Sequence, residues 1–357
     1  MKFYIVGGAV RDHLMGKVPK DIDYVVVGAT PEDMLDMGLK QVGADFPVFI
    51  DEAGTEFALA RTERKTGVGY NGFTTDHSTS VTLEEDLSRR DLTINAMAMV
   101  KDSQAIIDPF NGVADIEDKI LRHVSLAFVE DPVRVLRIAR FRARLGEDWT
   151  IAPDTMVLLK EMVRRGDLAH LTRERVLLEM EKAFGEPYPD IFFSTLKEIG
   201  ALDVVFPHLF MIDKLDYQEI RKAAGTSPAF VYSVVSLIMP ETSADYFGER
   251  LRVSNEWRQM AVMYRAMMNS RMDSNQVDIL YKMDAYRKHH VWDALLRELV
   301  KTGRSRERFY NDLFVVWCST SRMSFTELTE WQRDNLKGPE IAEAIKQLRK
   351  KVINETR

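Results

Sequence analysis

Short apolar runs broken by polar turns fill the first hundred or so residues. Beyond them, apolar positions recur every three or four residues to the end of the chain. The first pattern predicts strands at Phe3–Val6, Asp23–Val27, Pro47–Ile50 and Glu56–Arg61, with Ala105–Asp108 as a further candidate. Helical spacing between them marks Ala9–Met15 and Pro31–Met37. From about Asp131 the strand pattern fades, and amphipathic helices are predicted over 131–145, 153–165, 172–184 and 189–199, then onward to the end. Pro132, Pro153 and Thr172 sit where helix starts belong. There is no internal repeat and no low-complexity stretch. The pattern predicts a mixed α and β head followed by an all-helical remainder, with the boundary near residues 130–145.

Composition narrows this little. The 357 residues suffice for two or three domains, at 45% hydrophobic and 29% charged. A formal net charge of −6 weighs against indiscriminate polyanion binding, although local clustering of Lys and Arg is what decides. The single Cys318 excludes an intrachain disulfide or a Cys-based zinc site and fits a reducing compartment. Arg11 and Asp12 cut the N-terminal apolar stretch short of a secretory signal, and the apolar run at 229–239 is too short to cross a bilayer. A soluble, cytoplasmic protein is expected.

Chemistry concentrates in four places. In the opening stretch "MKFYIVGGAVRDHLMGKVPKDIDYVVVG", a strand runs into Gly7-Gly8 and then a helix. That turn is either purely structural or a backbone cradle for a phosphate, with Arg11 one turn further in. It matches neither a Walker A loop nor a GxGxxG fingerprint. Asp21 and Asp23 follow, one residue apart, at the entry to Tyr24–Val27. Acids at i and i+2 of a strand face one way and repel unless a cation lies between them, so the pair reads as solvated carboxylates or as oxygen ligands for Mg²⁺. The third place, "EEDLSRRDLTINAMAM" (84–99), carries Arg89, Arg90 and Asp91 ahead of apolar residues at helical spacing, and a plain charged helix is one reading of it.

The fourth is "EDPVRVLRIARFRAR" (130–144). Arg134, Arg137 and Arg140 recur every third residue, and no acid stands among the five arginines from 134 to 144. A solvated helix usually mixes signs. Asp131 and Arg134 make a helical i, i+3 pair, an acceptor beside a donor. That pair matches the amino group and ring nitrogen at the edge of cytosine or adenine, whereas uracil and guanine present the reverse order.

Gly7-Gly8-x-x-Arg11-Asp12, Asp21-x-Asp23, Arg89-Arg90-Asp91 and Glu130-Asp131-x-x-Arg134-x-x-Arg137-x-x-Arg140 stand in the order found in class II tRNA nucleotidyltransferases. The chain thus resembles the CCA-adding enzymes of the polymerase-β-like nucleotidyltransferase superfamily, a group that also holds bacterial poly(A) polymerases. The segments "ARTERKTGVGYNGF" (60–73), "DPFNGVADIEDKILRHV" (108–124) and "LAHLTRERVLLE" (168–179) resemble further family segments, the first of them the flexible loop used for the final A. The likeness runs from residue 1 to about 210. It implies an α+β fold, with a polymerase-β-like head over 1–140, a helical neck over 141–210 and a tRNA-binding body and tail over 211–357. It further implies that Asp21 and Asp23 hold Mg²⁺ and that Gly8 and Arg11 meet the triphosphate. Arg90 would contact the incoming nucleotide and Asp91 its ribose. Asp131 and Arg134 would select the base, and Arg137 and Arg140 would complete the pocket. The implied activity is addition of C, C and A to the 3′ end of tRNA from CTP and ATP. A poly(A) polymerase, a CC-adding enzyme and an inactive RNA-binding module are the alternatives, the 60–73 loop favouring CCA addition.

Two departures stand out. Phe57-Ala58-Leu59-Ala60 lacks the third metal-site carboxylate that many superfamily members carry, so two acids suffice or Glu56 or Glu63 assists. No His-Asp pair follows residue 200, where His208, His289 and His290 stand alone, and a phosphohydrolase side activity is not expected. Beyond 210, Trp257, Tyr264, Tyr281, Trp292 and Trp317 read as core residues or base-stacking platforms. The basic clusters at 301–308 and 346–351 read as phosphate grips or ordinary solvated faces.

Overall fold

The computed structural model describes residues 1–42, 48–65, 73–207, 209, 217–271, 275–302 and 307–356, less the side chains of 63–65, 73–75, 307–310 and 356. The head runs β1 (Lys2–Val6), α1 (Gly8–Leu14), β2 (Asp23–Val27), α2 (Pro31–Asp36), β3 (Lys40–Val42), β4 (Val48–Ile50), β5 (Glu56–Leu59), β6 (Thr62–Lys65) and β7 (Phe73–Asp76). It continues through α3 (Leu83–Ser88), β8 (Ala98–Val100), β9 (Ile106–Ile107), α4 (Gly112–Glu117) and β10 (Ile120–Leu121). Seven strands form one mixed sheet in the order β3-β4-β5-β2-β1-β8-β9, while β6 and β7 pair by themselves. Strand β1 is antiparallel to β2 and β8, and β2 is parallel to β5.

Period-two alternation sends neighbouring side chains to opposite faces. Val6 and Val25 join Val81, Leu87 and Ala98 in one cluster. Ile5 packs with Val10 and Met97, and Val26 with Met34 and Phe49, in two others. Helix α3 therefore covers the Val25 face of the sheet, and its start is fixed by a capping box between Thr82 and Glu85. Asp23, two residues before Val25, opens β2 on that same face.

Several expectations need correction. Residues 84–99 are not one helix: α3 ends at Ser88, a 3-10 turn takes Thr93–Asn95, and Ala98–Val100 is a strand. Pairing with β1, Ala98 opposite Val6 and Met99 opposite Ile5, overrides a spacing that also suited a helix. The strand read to Arg61 ends at Leu59, because the Arg61 N–H turns to Asp86 Oδ1 at 3.3 Å. Pro47 and residues 66–72 of the 60–73 loop lie outside the described residues.

The helical part follows as α5 (Val133–Leu145), β11 (Thr150–Ile151), α6 (Pro153–Arg164), α7 (Arg173–Phe184), α8 (Pro189–Ile199) and α9 (Leu202–Val205). It is not free of strand, since β11 pairs in parallel with β10. Two compact units result: Met1–Glu179 with Ile191–Val205, and Met180–Asp190 with Phe206–Arg357. The second unit holds α10 (Tyr217–Arg221), α11 (Pro228–Ile238), α12 (Glu241–Arg250), α13 (Asn255–Met268), α14 (Gln276–Lys282), α15 (His289–Thr302), α16 (Glu307–Thr320), α17 (Glu330–Asn335) and α18 (Pro339–Thr356). Helix α11 is apolar almost all round because it is buried, with Phe230, Tyr232 and Val235 in the core. Tyr264 and Trp292 are likewise buried, the core reading of those aromatics. Among the described residues no helix is long and apolar enough to cross a membrane.

One close approach carries a prediction. A Cβ on Gly112, which opens α4, would stand 2.4 Å from the Thr93 carbonyl oxygen and 2.9 Å from Met97 Sδ. The Gly112 and Val113 N–H groups donate to Asp108 at 2.8 and 2.9 Å, so the backbone has little room to yield. Gly112→Ala should cost about 3 kcal/mol, the upper range for overpacking, and urea unfolding against the wild type reads it directly.

Candidate active site

Strand register places the acids. Val6, the residue before Gly7, pairs with Asp23, and Asp23 pairs with Glu56 on its other side. Asp21 precedes β2, so strand alternation does not fix its direction as the spacing suggested. Charge still links the two acids. Burial raises the Asp23 carboxyl above its ordinary value, the Arg90 cation opposes that, and the neighbouring Asp21 carboxylate adds to it. Among the described residues no group of three or more His, Cys, Asp and Glu side chains gathers as a metal site. Paired carboxylates of this kind could hold Mg²⁺, a hard ion that keeps waters and takes phosphate oxygens. The Glu63 side chain lies outside the described residues.

Gly7 lies at φ +70°, and a Cβ there would stand 3.0 Å from Arg90 Nη1. Its N–H donates to the Met97 carbonyl at 3.3 Å. Arg90 therefore spans the turn, anchored through Nη2 to Asp86 Oδ2 at 3.1 Å. Its Nε is buried without a hydrogen-bond partner among the described residues. Asp86 also takes Arg89 Nε and Nη2 at 3.1 and 2.7 Å. Burial works against ionisation of Asp86, yet the Arg89 and Arg90 charges hold its carboxyl below the usual range.

Beneath the turn, Arg11 is only 2% exposed. Its Nε and Nη2 donate to Asp12 Oδ1 at 3.0 and 2.8 Å, and Nη1 donates to Asn95 Oδ1 at 2.6 Å. A Cβ on Gly8 would touch Arg11 Nη2 at 3.4 Å, so this cation forms the floor of the diglycine bend. Asn95 carries the connection onward, donating from Nδ2 to Asp91 Oδ1 at 3.2 Å. Asp91 Oδ1 takes the Leu92 N–H as well, and Oδ2 takes Arg137 Nε and Nη2 at 2.8 and 2.7 Å. Burial would raise the Asp91 carboxyl, but the Arg137 cation with the Asn95 and Arg137 hydrogen bonds lowers it to about 2. Both Asp91 oxygens are thus engaged inside the protein.

The arginine stripe on α5 finds its acids on other elements. Arg137 and Arg140 share Glu179, at 3.9 and 2.7 Å. Arg142 meets Glu198 at 2.7 Å, and Arg144 meets Asp12 at 3.0 Å. Arg134 donates to the carbonyls of Ala127 and Arg89 at 3.2 and 2.6 Å.

Asp131 departs from expectation. Helix α5 begins at Val133, and Asp131 lies ahead of it in extended backbone, so it and Arg134 are not a pair along one helix face. Its Oδ1 accepts the Val133 N–H at 3.2 Å. Arg175 of α7 forks onto the carboxylate from Nη1 and Nη2 at 2.9 and 2.7 Å. Sequence reading missed Asp86, Asn95, Arg175 and Glu179. Asp86 and Asn95 had local signals, the first three and four residues ahead of Arg89 and Arg90, the second four residues after Asp91; Arg175 and Glu179 meet their partners only through the fold.

In the second unit most of the 346–351 cluster is engaged within the protein, while Lys351 stands exposed beside Glu355 at 3.7 Å. Arg349 is buried, donates to Thr320 O, Tyr281 Oη and Met323 O, and stacks 3.7 Å over the Tyr286 ring. Lys346 and Lys350 share Asp278 at 2.9 and 2.7 Å. In the other cluster Lys301 meets Glu298 at 3.0 Å, while Arg304, Arg306 and the Arg308 side chain lie outside the described residues, as does His208. His289 and His290 are exposed.

Comparison with known proteins shows the family. A family model described as the poly A polymerase head domain matches residues 3–122, and one described as a probable RNA and SrmB-binding site of polymerase A matches 148–212. The CCA-adding enzyme of Marinobacter nauticus is 44% identical over 321 residues, covering 85% of this chain and 86% of that protein. That of Coxiella burnetii is 38% identical over 365 residues, covering 99% and 95%. Among solved structures, the Bacillus stearothermophilus CCA-adding enzyme in complex with CTP superposes at a TM-score of 0.66 with 25% identity, over 99% of this chain and 89% of that one. With a diglycine turn, paired acids and an arginine-lined helix in one unit, and with that identity running through most of its length, the chain belongs to the CCA-adding enzyme family of tRNA nucleotidyltransferases.

Proposed function

We propose that this protein adds C, C and A in turn to the 3′ end of tRNA, using CTP and ATP, releasing pyrophosphate and depending on Mg²⁺. The observation that carries the reading is the juxtaposition of Asp23, Asp21, Arg90 and the Gly7 turn at one end of the β1–β2 pair. Asp21 and Asp23 are assigned to the ion, which when bound would neutralise triphosphate charge and favour ionisation of the attacking ribose hydroxyl. Gly8 and the bend above Arg11 receive the triphosphate, with Arg90 closing over it. Its unpartnered Nε, in a turn kept clear by the absence of a Cβ at Gly7, supports that role. Arg137 and Arg140 form one wall of the nucleotide pocket. We assign Asp91 to holding Arg137 in place, since its oxygens are already taken.

Asp131 and Arg134 are assigned to base selection. The carboxylate accepts the exocyclic amino group of C or A, and the guanidinium donates to the neighbouring ring nitrogen. Catalysis is assigned to 1–140 and tRNA contacts to 141–210 and 211–357. Without a template, discrimination has to come from the protein's own donors and acceptors, which fits a fixed acid–arginine set.

The test offers tRNAs lacking the last three, two or one nucleotides, each with a single labelled nucleotide. Two C followed by one A, and then arrest, is the expected result. Continued A addition would mark a poly(A) polymerase, arrest after two C a CC-adding enzyme, and binding without incorporation an RNA-binding module. In the same assay Asp131→Ala should lose the preference for C and A over U and G. A preference left intact would remove Asp131 from base selection.

A further inference from the structure

We infer that Arg175 is a positioning residue for nucleotide choice, one that orients the Asp131 carboxylate; this rests on the assignment of Asp131 as the base-reading acceptor. An unheld aspartate rotates broadly about its terminal torsion. Its carboxylate has about four lone-pair sites, all of them acceptors. A freely turning acceptor takes the ring N–H of uracil or guanine as readily as the amino group of cytosine or adenine, so the residue type alone does not discriminate. Orientation does.

The structure supplies that orientation from two sides. Arg175 occupies one site on each Asp131 oxygen, at 2.9 and 2.7 Å, and the Val133 N–H takes another on Oδ1 at 3.2 Å. A planar guanidinium fork fixes the carboxylate plane in a way a single ammonium cannot. The donor half is fixed as well, because Arg134 is tied to the carbonyls of Ala127 and Arg89 and lies 5.8 Å over the Phe128 ring. Both side chains of the fork remain reachable, Asp131 at 24% and Arg175 at 31% exposure, so the held carboxylate can still meet a base. Arg175 also stands one helical turn before Glu179, which holds Arg140. One face of α7 thereby orients both the base reader and part of the pocket wall.

The experiment measures kcat and KM for CTP, ATP, UTP and GTP with wild type, Asp131→Ala, Arg175→Gln, Arg175→Lys and the Asp131→Ala/Arg175→Gln double variant, alongside thermal unfolding. Arg175→Gln should lower the CTP-over-UTP and ATP-over-GTP ratios roughly tenfold, the worth of one oriented hydrogen bond. The KM for tRNA should stay unchanged, and the substitution should have no further effect once Asp131 is alanine. Arg175→Lys, with the charge but no fork, should fall between. An equal loss for all four nucleotides overturns the inference, leaving Arg175 a structural residue. A collapsed ratio in Asp131→Ala with a wild-type ratio in Arg175→Gln overturns it while the base-reading assignment stands. An intact ratio in Asp131→Ala removes that assignment and this inference together. Should Arg175→Gln fail to fold, Arg175→Lys decides: a wild-type ratio there overturns the inference.

Discussion

Replacing Asp21 and Asp23 together by alanine should abolish nucleotide transfer while leaving the fold intact. Loss of a site worth several kcal/mol in the transition state corresponds to roughly 10³-fold or more in rate. The fold should not suffer, because both residues stand at the exposed entry to β2, and partial desolvation together with the Asp21 charge already disfavours the ionised Asp23. Thermal unfolding is expected at or slightly above the wild-type temperature. The Asp21→Asn and Asp23→Asn single variants should each lose most of the activity, since one remaining carboxylate holds a hard divalent ion poorly. Mn²⁺ paramagnetic titration gives a second readout, with binding present in wild type and lost in the double variant. Turnover within tenfold of wild type would end the assignment of catalysis to this pair.

The second large effect concerns stability. Asp91 is 7% exposed and its partner Arg137 about one-third exposed. Asp91→Ala takes the close carboxylate from that cation, leaving it Glu179 at 3.9 Å, and leaves the Asn95 amide and the Leu92 N–H without this acceptor, for which about 3 kcal/mol is the expected loss. Asp91→Asn keeps the shape and removes the charge, so it isolates the ionic part. With its carboxyl lowered from 3.8 to about 2, Asp91 contributes stability that is fully present above pH 4–5 and is lost as pH falls through 2. The shift is worth about 2 kcal/mol at neutral pH. The urea midpoints of wild type and Asp91→Asn should therefore differ by a constant amount above pH 5 and converge as pH drops below 4. A gap independent of pH across that range would show that the ion pair contributes nothing beyond its hydrogen-bonded shape. Activity should fall as well, because Arg137 loses the contact that aims it.

Local pattern was enough for much of the head. Val25 and Val26 pack into different clusters, as period-two alternation requires, and the strands at Lys2–Val6 and Asp23–Val27 stand within a residue of where that alternation ended. The helix start marked by Pro153 was equally readable, because a proline at the first helical position acts within its own turn, and the one marked by Pro132 fell a residue later, at Val133. Ala98–Val100 was not readable. Three small and apolar residues suit either period, and only the edge offered by β1 decides between them.

The candidate site divides the same way. The order of glycines, acids and arginines, and hence the kind of chemistry, could be read from the chain, since side-chain type fixes what can hold a phosphate or a divalent ion. Which arginine meets which acid could not. Ion pairs such as Arg137–Asp91, Arg140–Glu179 and Arg144–Asp12 join residues 39 to 132 positions apart, and nothing local to α5 announces them. The acid-free stripe on that helix is the imprint of acids supplied elsewhere. Likewise Asp131 and Arg134 are close in sequence, yet a helix that begins two residues late hands Asp131 to Arg175 instead. Sequence by itself determined the inventory of charged and flexible groups and the local elements that carry them. Only the folded arrangement decided their pairing, because burial makes each unpartnered charge costly, and the chain is folded where those charges meet.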